Sequence, residues 1–429
     1  MELPEETEIA IVGAGVIGLS AAAFLAQSGH QVVVLDEASA PARGASAHNA
    51  GQIRPTACVP LAAPGALGEL VRSSFRRGRP IRLGRGALRD WRWSSAFASW
   101  ARGPGIDRRT RVLAELGQAG EDAFQTVEGW AGRELIHRCG SLDVFETEHE
   151  FGRAGELISV LRGHGFAAEP LSGKEVQERE PSLASAPAGG VWLPGAAHCD
   201  PVSVTSALAS IAAAAGTRIA TGAQVEEIEL GPGAASLSSG GRTLRAETVV
   251  LAGGATASVR LPGALARCLP LLGGRGFGLD IDGGPRLRQS LILTERHVSA
   301  TPWPHGGLRL TTGMDVGATG TRIAERRLRA LRASAAAMFG DLGPDSGRPW
   351  VGVRPLTPDG LPLIGRLTGC PRALVASGHG MLGVTYGPAT GRLVAELIDG
   401  GAPGWASDFS PERFASGWSP RKAAGSVSR

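Results

Sequence analysis

The chain has 429 residues, of which 43% are apolar and 20% charged, a globular balance that excludes global disorder. Its 63 glycines and 28 prolines show no Gly-X-Y period, which excludes collagen. A net charge of +4 is too small to indicate nucleic-acid binding. The five cysteines are scattered and form no CxxC pair, so we expect a reduced compartment and no metal site.

The length predicts two or three domains. Residues 1–8, MELPEETE, are acidic and do not resemble a signal peptide, and no stretch of 18 apolar residues is present. We therefore expect a cytoplasmic protein whose membrane contact, if any, is peripheral at the inner face.

Residues 9–36, IAIVGAGVIGLSAAAFLAQSGHQVVVLD, predict a strand, a glycine-rich turn, a helix over 16–27 and a second strand ending at Asp36. Gly13, Gly15 and Gly18 have the GxGxxG spacing that brings backbone and a helix N-terminus to a pyrophosphate. Asp36 follows Gly18 by 18 residues, where a carboxylate can bind ribose hydroxyls. The motif predicts FAD or NAD and disfavours NADP, and its N-terminal position is typical of FAD enzymes.

Residues 37–55 read EASAPARGASAHNAGQIRP. This segment resembles the flavin-contacting loop of the D-amino acid oxidase superfamily, and most closely that of D-amino acid dehydrogenase small subunits. The resemblance implies FAD as the cofactor, with Ser46, Asn49, Ala50 and Gly51 lining the flavin.

Further segments resemble the same family in the same order, so that the resemblance covers approximately residues 8–415. Over 198–230 it implies that the backbone of Val225 lies near the adenine, and over 248–258 that a strand ends at Gly253 and Gly254. Residues 351–366 and 375–400 resemble the closing motifs, the second a glycine-rich loop before a helix over about 388–398. Other residues that the resemblance implies at the cofactor are Val16, Ile17, Glu37, Arg43, Gly44, His48, Gln52, Ala252, Gly352, Arg354, Gly378, His379, Gly380, Met381, Leu382, Gly383, Val384 and Thr385.

The expected fold class is α/β. The resemblance implies a Rossmann-like FAD-binding domain of the glutathione-reductase type, with a discontinuous α+β substrate domain built on a mixed sheet. The expected FAD-binding domain comprises residues 1–60, 195–262 and 345–415. The substrate domain comprises 61–194 and 263–344, and 416–429 form a flexible tail.

The resemblance implies that Arg354 pairs bidentately with a substrate carboxylate, a task that suits the planar guanidinium. His379 is a second catalytic candidate, although its glycine neighbours favour a structural role. Arg275 and His297 stand where the family has a lysine and a tyrosine, and with Gln52 they are candidate substrate residues. Tyr386 is the only tyrosine, so the phenols common in such pockets are missing and a neutral D-amino acid is in doubt.

His48 leaves two alternatives open. Some secondary-amine-oxidising relatives link a histidine at the matching position to the flavin, whereas a noncovalent contact is the simpler interpretation. Flavin colour that survives SDS denaturation distinguishes the first from the second.

The resemblance implies oxidative deamination of an amino acid, in the D configuration, to a 2-oxo acid and ammonia, with electrons passed to a quinone, partner flavoprotein or other electron carrier. Alternatives are oxidation of a secondary amine or imino acid (D-hydroxyproline-like or sarcosine-like) and a noncatalytic FAD-binding subunit. Lys174 and Lys422 are the only lysines, and neither lies in a motif near the flavin, which favours a dehydrogenase over an oxidase.

A basic, tryptophan-bearing segment spans residues 72–102. It predicts contact with an anionic membrane or another subunit, or else a solvated loop and a core-packed helix. Its arginines and aromatic residues are Arg72, Arg76, Arg77, Arg79, Arg82, Arg85, Arg89, Arg92, Trp91, Trp93, Phe97 and Trp100.

Overall fold

The structure, a computed structural model, describes residues 3–64, 81–231, 233–257, 266, 269–320, 322–323, 325–340, 342 and 347–418. Residues 419–429 of the predicted tail, and Arg72, Arg76, Arg77 and Arg79, lie outside these residues. No helix in the described part is long and apolar enough to cross a membrane.

Two mixed β-sheets organise the chain, together with a short ribbon. The strands are β1 (Glu6–Val12), β2 (Val32–Asp36), β3 (Gln52–Ile53), β4 (Ile81–Leu83), β5 (Ser141–Phe145), β6 (Glu169–Ser172), β7 (Gly189–Leu193), β8 (Ala197–His198), β9 (Arg218–Thr221), β10 (Glu227–Leu230), β11 (Ala235–Ser239), β12 (Arg242–Leu251), β13 (Leu272–Ile281), β14 (Ser290–Leu293), β15 (Val298–Trp303), β16 (Gly307–Val316), β17 (Arg348–Leu356), β18 (Leu363–Leu367) and β19 (Cys370–Ser377).

The helices cover the faces of these sheets. They are α1 (Val16–Gln27), α2 (Arg85–Arg89), α3 (Trp91–Arg102), α4 (Ile106–Ala131), α5 (Glu148–Phe151), α6 (Ala154–Gly163), α7 (Gly173–Arg179), α8 (Pro201–Ala214), α9 (Glu325–Phe339) and α10 (Gly383–Ile398), with short 3-10 turns at Gly254–Thr256, Pro304–Gly306, Gly404–Phe409 and Pro411–Phe414.

The first sheet has the order β10-β11-β12-β1-β2-β9, with β19 joined to β12 and β18 to β19. Its centre is parallel, since β1 pairs in parallel with both β2 and β12. The apolar sequence of β1 fits this position, because central parallel strands are covered on both faces. Helices α8 and α10 both pack against α1. Gly391 brings α10 so close to α1 that an added Cβ would lie 2.5 Å from the carbonyl carbon of Ser20.

The second sheet has the order β17-β13-β16-β15-β14-β5-β7-β6, with β4 paired to β16. It includes β17, which the expected division had placed with the FAD-binding segments. We propose a two-domain organisation in which each sheet forms the centre of one domain, with the crossing into the last cofactor segment after β17 rather than at residue 345.

Most elements agree with the sequence patterns, among them the helix over 16–27 and the strand over 141–145. The last long helix differs, because it begins at Gly383 and contains Pro388 in its interior. The backbone N–H of Tyr386 already bonds the carbonyl of Leu382, so the helix starts before the proline. Pro388 is the sixth residue of this helix, past the first turn, so its missing N–H removes one i→i−4 hydrogen bond without ending the helix. A proline is typical of the first helical position, which is why it indicated too late a start.

Candidate active site

One cavity of about 790 Å³ joins the first sheet to the second. It is bordered by the glycine-rich turn before α1, the loop over residues 43–54, the start of α10, and strands β14 to β17. The predicted site residues that line it are Gly13, Gly15, Val16, Ile17, Asp36, Glu37, Arg43, Gly44, Ser46, His48, Asn49, Ala50, Gln52, Val225, Ala252, Gly253, Gly254, Arg354, His379, Gly380, Met381, Leu382, Gly383 and Val384.

The glycine-rich turn is shaped by close backbone contacts. Gly13 has φ +116°, and a Cβ there would lie 2.6 Å from the carbonyl oxygen of Ala252. A Cβ on Gly18 would lie 1.9 Å from the carbonyl oxygen of Gly13. Gly18 therefore does not border the cavity itself but lets α1 pack against the turn that does.

The carboxylate of Asp36, at the end of β2, binds the backbone of the turn that follows β1 and the backbone just after β2. Its Oδ2 accepts a hydrogen bond from the backbone N–H of Ala14 at 2.6 Å, and its Oδ1 accepts one from Ala38 at 2.8 Å. A carboxylate oxygen has more than one lone pair, so Asp36 can still accept from ribose hydroxyls. Helix α1 starts at Val16 with no side-chain cap on Gly15, which leaves a positive helix end at the cavity.

The loop over residues 46–49 is held by helix α1 and by the second sheet. Ser46 Oγ accepts from the backbone N–H of Val16 at 2.9 Å. From the second sheet, Arg309 donates to the carbonyl oxygens of Ala47 at 3.1 Å and Asn49 at 2.8 Å. Asp280 fixes the Arg309 guanidinium through two bonds of 2.7 Å. The sequence carries no signal for Arg309, since nothing distinguishes it from the other arginines of an arginine-rich chain.

His48 contributes to the same wall. Its Nδ1 lies 3.1 Å from the carbonyl oxygen of Gly44, and its ring centroid lies 5.6 Å from that of Trp350. Gly352 lies behind it, where a Cβ would come within 2.4 Å of the His48 carbonyl oxygen. Gly51, Gly378 and Thr385 likewise support the wall without lining the cavity. Whether His48 is linked to the flavin stays a prediction for the SDS experiment.

Arg354 reaches from β17 across β13 toward β16. Its guanidinium lies over Gly276, where a Cβ would come within 2.5 Å of Arg354 Cζ, and it donates to the carbonyl oxygen of Gly313 at 2.7 Å. No acidic side chain among the described residues pairs with it. Burial alone lowers the pKa of Arg354 to about 10, so the group stays a cation at neutral pH. An uncompensated guanidinium facing a cavity is suited to bind a carboxylate.

His379 borders the cavity but is 5% exposed. Its Nε2 lies 2.9 Å from Thr390 Oγ1, and burial lowers its pKa to about 3. A histidine with that pKa is a poor general acid or base at neutral pH. These contacts favour a structural role, in which His379 joins the loop before α10 to the helix itself.

The burial of His379 predicts that the stability of the fold decreases in acid. Its pKa is about 3 when folded and about 6.5 when unfolded, so the unfolded chain binds more protons between these values and stability falls as pH decreases below 6.5. The loss is about 2 kcal/mol between pH 6.5 and 5. We expect His379→Gln to flatten the dependence of melting temperature on pH over this range, in the presence of saturating FAD. His149→Gln, at an exposed histidine, should leave it unchanged; an equal slope in all three proteins would contradict this.

Two predicted substrate residues lie elsewhere. Arg275 pairs with Asp315 at 3.0 Å and donates to the carbonyl oxygens of Gly320 and Arg322, on the face of β13 opposite Arg354. His297 lies at the exposed turn between β14 and β15. Neither borders the cavity, so these two residues are not among those that we propose for the substrate. Lining residues that no sequence motif indicates include Arg54, Ile292, Ser299, Thr311, Thr319 and Val353.

The dinucleotide-binding turn opens into a cavity that reaches Arg354, which has no acidic partner among the described residues. This arrangement is the one expected of a dinucleotide-dependent oxidoreductase. A model of the DAO family, FAD dependent oxidoreductases, matches residues 8–397, and the chain belongs to this family. Its cofactor is therefore FAD. The cavity residues fit this group, since glycine backbone at 13 and 15, the α1 N-terminus and Asp36 together offer partners for a diphosphate and a ribose.

Solved structures share the fold. Glycine oxidase from Geobacillus kaustophilus superposes with a TM-score of 0.77 at 23% identity, covering 96% of this chain and 100% of that one. L-proline dehydrogenase from P. horikoshii gives 0.77 at 19% identity, covering 98% and 100%. Iminodiacetate oxidase from Chelativorans sp. BNC1 gives 0.70 at 19% identity, covering 94% and 99%.

Proposed function

We propose that the protein oxidises the Cα–N bond of an α-amino acid, in the D configuration, to an imine that water hydrolyses to a 2-oxo acid and ammonia. The observation that carries the amino-acid part of this proposal is the guanidinium of Arg354, which faces the cavity with no carboxylate partner among the described residues. The D configuration rests on the resemblance of residues 37–55 to the flavin-contacting loop of D-amino acid dehydrogenase small subunits. An electron-carrying subunit needs no such group, which argues against a noncatalytic FAD-binding role.

Arg354 holds the substrate carboxylate and so fixes the α-carbon relative to the cavity wall. Gln52 donates through Nε2 to the carbonyl oxygen of Leu291 at 3.1 Å, which orients its amide and leaves Oε1 to accept from the substrate amine. The chemistry that bound FAD supplies is uptake of a hydride equivalent from the α-carbon. The contribution of these residues is positioning, and no side-chain base is required when the amine binds in its neutral form.

A secondary amine or imino acid is the second candidate. The three neighbours above take their names from glycine, L-proline and iminodiacetate, each of which carries a nitrogen one carbon from a carboxylate. The carboxylate is the group that Arg354 would recognise. A screen of D- and L-amino acids, N-methyl amino acids and imino acids against an artificial dye acceptor tests the proposal and separates the candidates. Absence of dye reduction with every compound carrying this α-nitrogen carboxylate would refute both.

We propose that the physiological acceptor is a quinone, a partner flavoprotein or another electron carrier rather than oxygen. Lys174 lies on the surface of α7, with its side chain 86% exposed and 3.7 Å from Glu178, and no lysine among the described residues borders the cavity. We expect the anaerobically reduced holoenzyme to be reoxidised by air over minutes and by a quinone analogue at least a hundred times faster. Reoxidation by air within seconds would contradict this. In this experiment dithionite reduces the enzyme, so the result does not depend on the substrate.

We propose peripheral contact with an anionic membrane at the inner face through α2 and α3. Leu88 and Trp91 are each 70% exposed beside the exposed Arg85, Arg89 and Arg92, whereas Trp93 and Phe97 of the same segment are buried in the core. We expect co-sedimentation with vesicles of anionic lipid that salt weakens and that the double change Leu88→Ser, Trp91→Ser abolishes. Val160→Ser, at an exposed apolar residue of α6, is the control. Equal sedimentation of all three proteins would refute the proposal.

A further inference from the structure

A row of side chains crosses the second sheet on its cavity face. The strand register aligns Thr311 of β16 with Ser299 of β15, Ser299 with Ile292 of β14, and Ile292 with Asp143 of β5. Cross-strand neighbours share a face of the sheet, and the first three residues line the cavity. Arg54, which also lines it, lies at Asp143 and so completes the row.

The row contains hydrogen-bonding groups that the described protein leaves unused. The hydroxyls of Ser299 and Thr311 border the cavity and have no protein partner among the described residues, although Thr311 is only 4% exposed. Arg54 Nε also has none. Groups of this kind are costly to cover with an apolar ligand, because each loses its water without gaining a partner.

The charge at this end of the cavity is balanced. Arg54 donates to the two oxygens of Asp143 at 2.6 and 2.9 Å, and its side chain is 13% exposed against 10% for Asp143. The pair therefore offers polar hydrogens without a net charge. A second carboxylate on the ligand would be unmatched here, and an ammonium would meet the guanidiniums of Arg54 and Arg354.

We propose that the substrate carries a neutral hydrogen-bonding group, a hydroxyl or an amide, on the side chain of its amino or imino acid, bound by Ser299, Thr311 and Arg54. This inference rests on the proposed function, because it takes the Arg354 end of the cavity as the carboxylate site. It assigns the selectivity for the substrate side chain to the row of residues that crosses the second sheet.

Matched substrate pairs test the proposal. The pairs are serine and alanine, threonine and 2-aminobutyrate, and 4-hydroxyproline and proline, each in the configuration that the enzyme oxidises. In at least one pair we expect kcat/KM to be at least tenfold higher for the hydroxylated member. Apolar members oxidised equally well, or aspartate or lysine preferred to all of them, would overturn the proposal while leaving the proposed function intact.

Binding supplies a second readout that does not depend on turnover. Butyrate and 3-hydroxybutyrate lack the amine and cannot be oxidised at Cα–N, so their Kd values can be measured on the holoenzyme from the change in flavin absorbance. We expect tighter binding of 3-hydroxybutyrate, and equal Kd values would count against the row. If neither these acids nor any amino acid bound, the failure would be that of the carboxylate site and the proposed function.

Variants locate the effect. Ser299→Ala and Thr311→Val remove one hydroxyl each, and we expect each to lower the ratio of kcat/KM between hydroxylated and apolar partners by about fivefold or more. Thr312→Val is the matched control, since Thr312 is the next residue of β16, lies on the opposite face and donates to the carbonyl oxygen of His297 at 2.9 Å. A ratio unchanged in the first two variants, or lowered equally in the control, would overturn the assignment.

Discussion

Arg354→Met is expected to lower kcat/KM for the amino-acid substrate by about 10²- to 10³-fold, mainly through a higher KM. Removing one partner of a desolvated charge pair costs roughly 2–5 kcal/mol, and each 1.4 kcal/mol is a factor of ten. Methionine keeps much of the side-chain volume, so FAD content should stay near one per chain. Steady-state kinetics with a dye acceptor, together with flavin absorbance, measure both effects.

The matched control is Arg348→Met, the same replacement on the same strand. Arg348 is 71% exposed in its side chain and pairs with the equally exposed Asp282, away from the cavity. It should retain full activity. Activity of Arg354→Met within threefold of the unaltered enzyme would show that the carboxylate binds elsewhere.

Gly276→Ala tests the same contact without removing the guanidinium. The backbone of Gly276 has no positive φ, so alanine is compatible with its conformation, but the new Cβ would displace the end of the Arg354 side chain. We expect normal FAD content and a fall in kcat/KM of at least tenfold. Gly155→Ala, on α6 with nothing within 4 Å of the new Cβ, serves as the control.

Asp36→Ala is expected to yield protein with less than a tenth of the normal FAD content and a lower melting temperature. The replacement leaves the backbone N–H groups of Ala14 and Ala38 without their acceptor, and each such loss costs roughly 1–3 kcal/mol. It also removes the carboxylate available to the ribose. Absorbance of the purified protein near the flavin maximum and titration of the apoprotein with FAD give the two quantities.

Asp36→Asn keeps one acceptor oxygen, so its affinity for FAD should lie between that of the unaltered protein and that of Asp36→Ala. Asp282→Ala is the control, since this aspartate is exposed just after β13, away from the dinucleotide turn. Stoichiometric FAD in Asp36→Ala would mean that the dinucleotide is held without this carboxylate.

The strand–turn–helix–strand unit of the dinucleotide motif could be predicted from the sequence because its signals are local. Gly13, Gly18 and Asp36 belong to one strand–helix–strand unit, in which spacing along the chain determines position in space. The structure places these three residues around the same turn, as expected.

The side chains on the second-sheet side of the cavity are positioned by strand register, which cannot be predicted from a single sequence. Arg275 and Arg354 lie on neighbouring strands, but the register pairs Arg275 with Val353 and Arg354 with Gly274, so the two arginines point to opposite faces. A shift of β17 by one residue against β13 would place both arginines on the same face. For the same reason Arg309, Ser299 and Thr311 carried no signal before the sheet was known.

The contacts of Arg309 have a consequence for cofactor exchange. Its guanidinium is fixed by Asp280 on the second sheet, stacks on Trp303 at 3.5 Å and holds the carbonyls of Ala47 and Asn49 in the loop that lines the cavity. For that loop to swing open, these bonds must break together. FAD should accordingly dissociate slowly, at a rate set by these contacts from the second sheet. Its retention during purification should depend on this rate as much as on the equilibrium affinity of the dinucleotide turn.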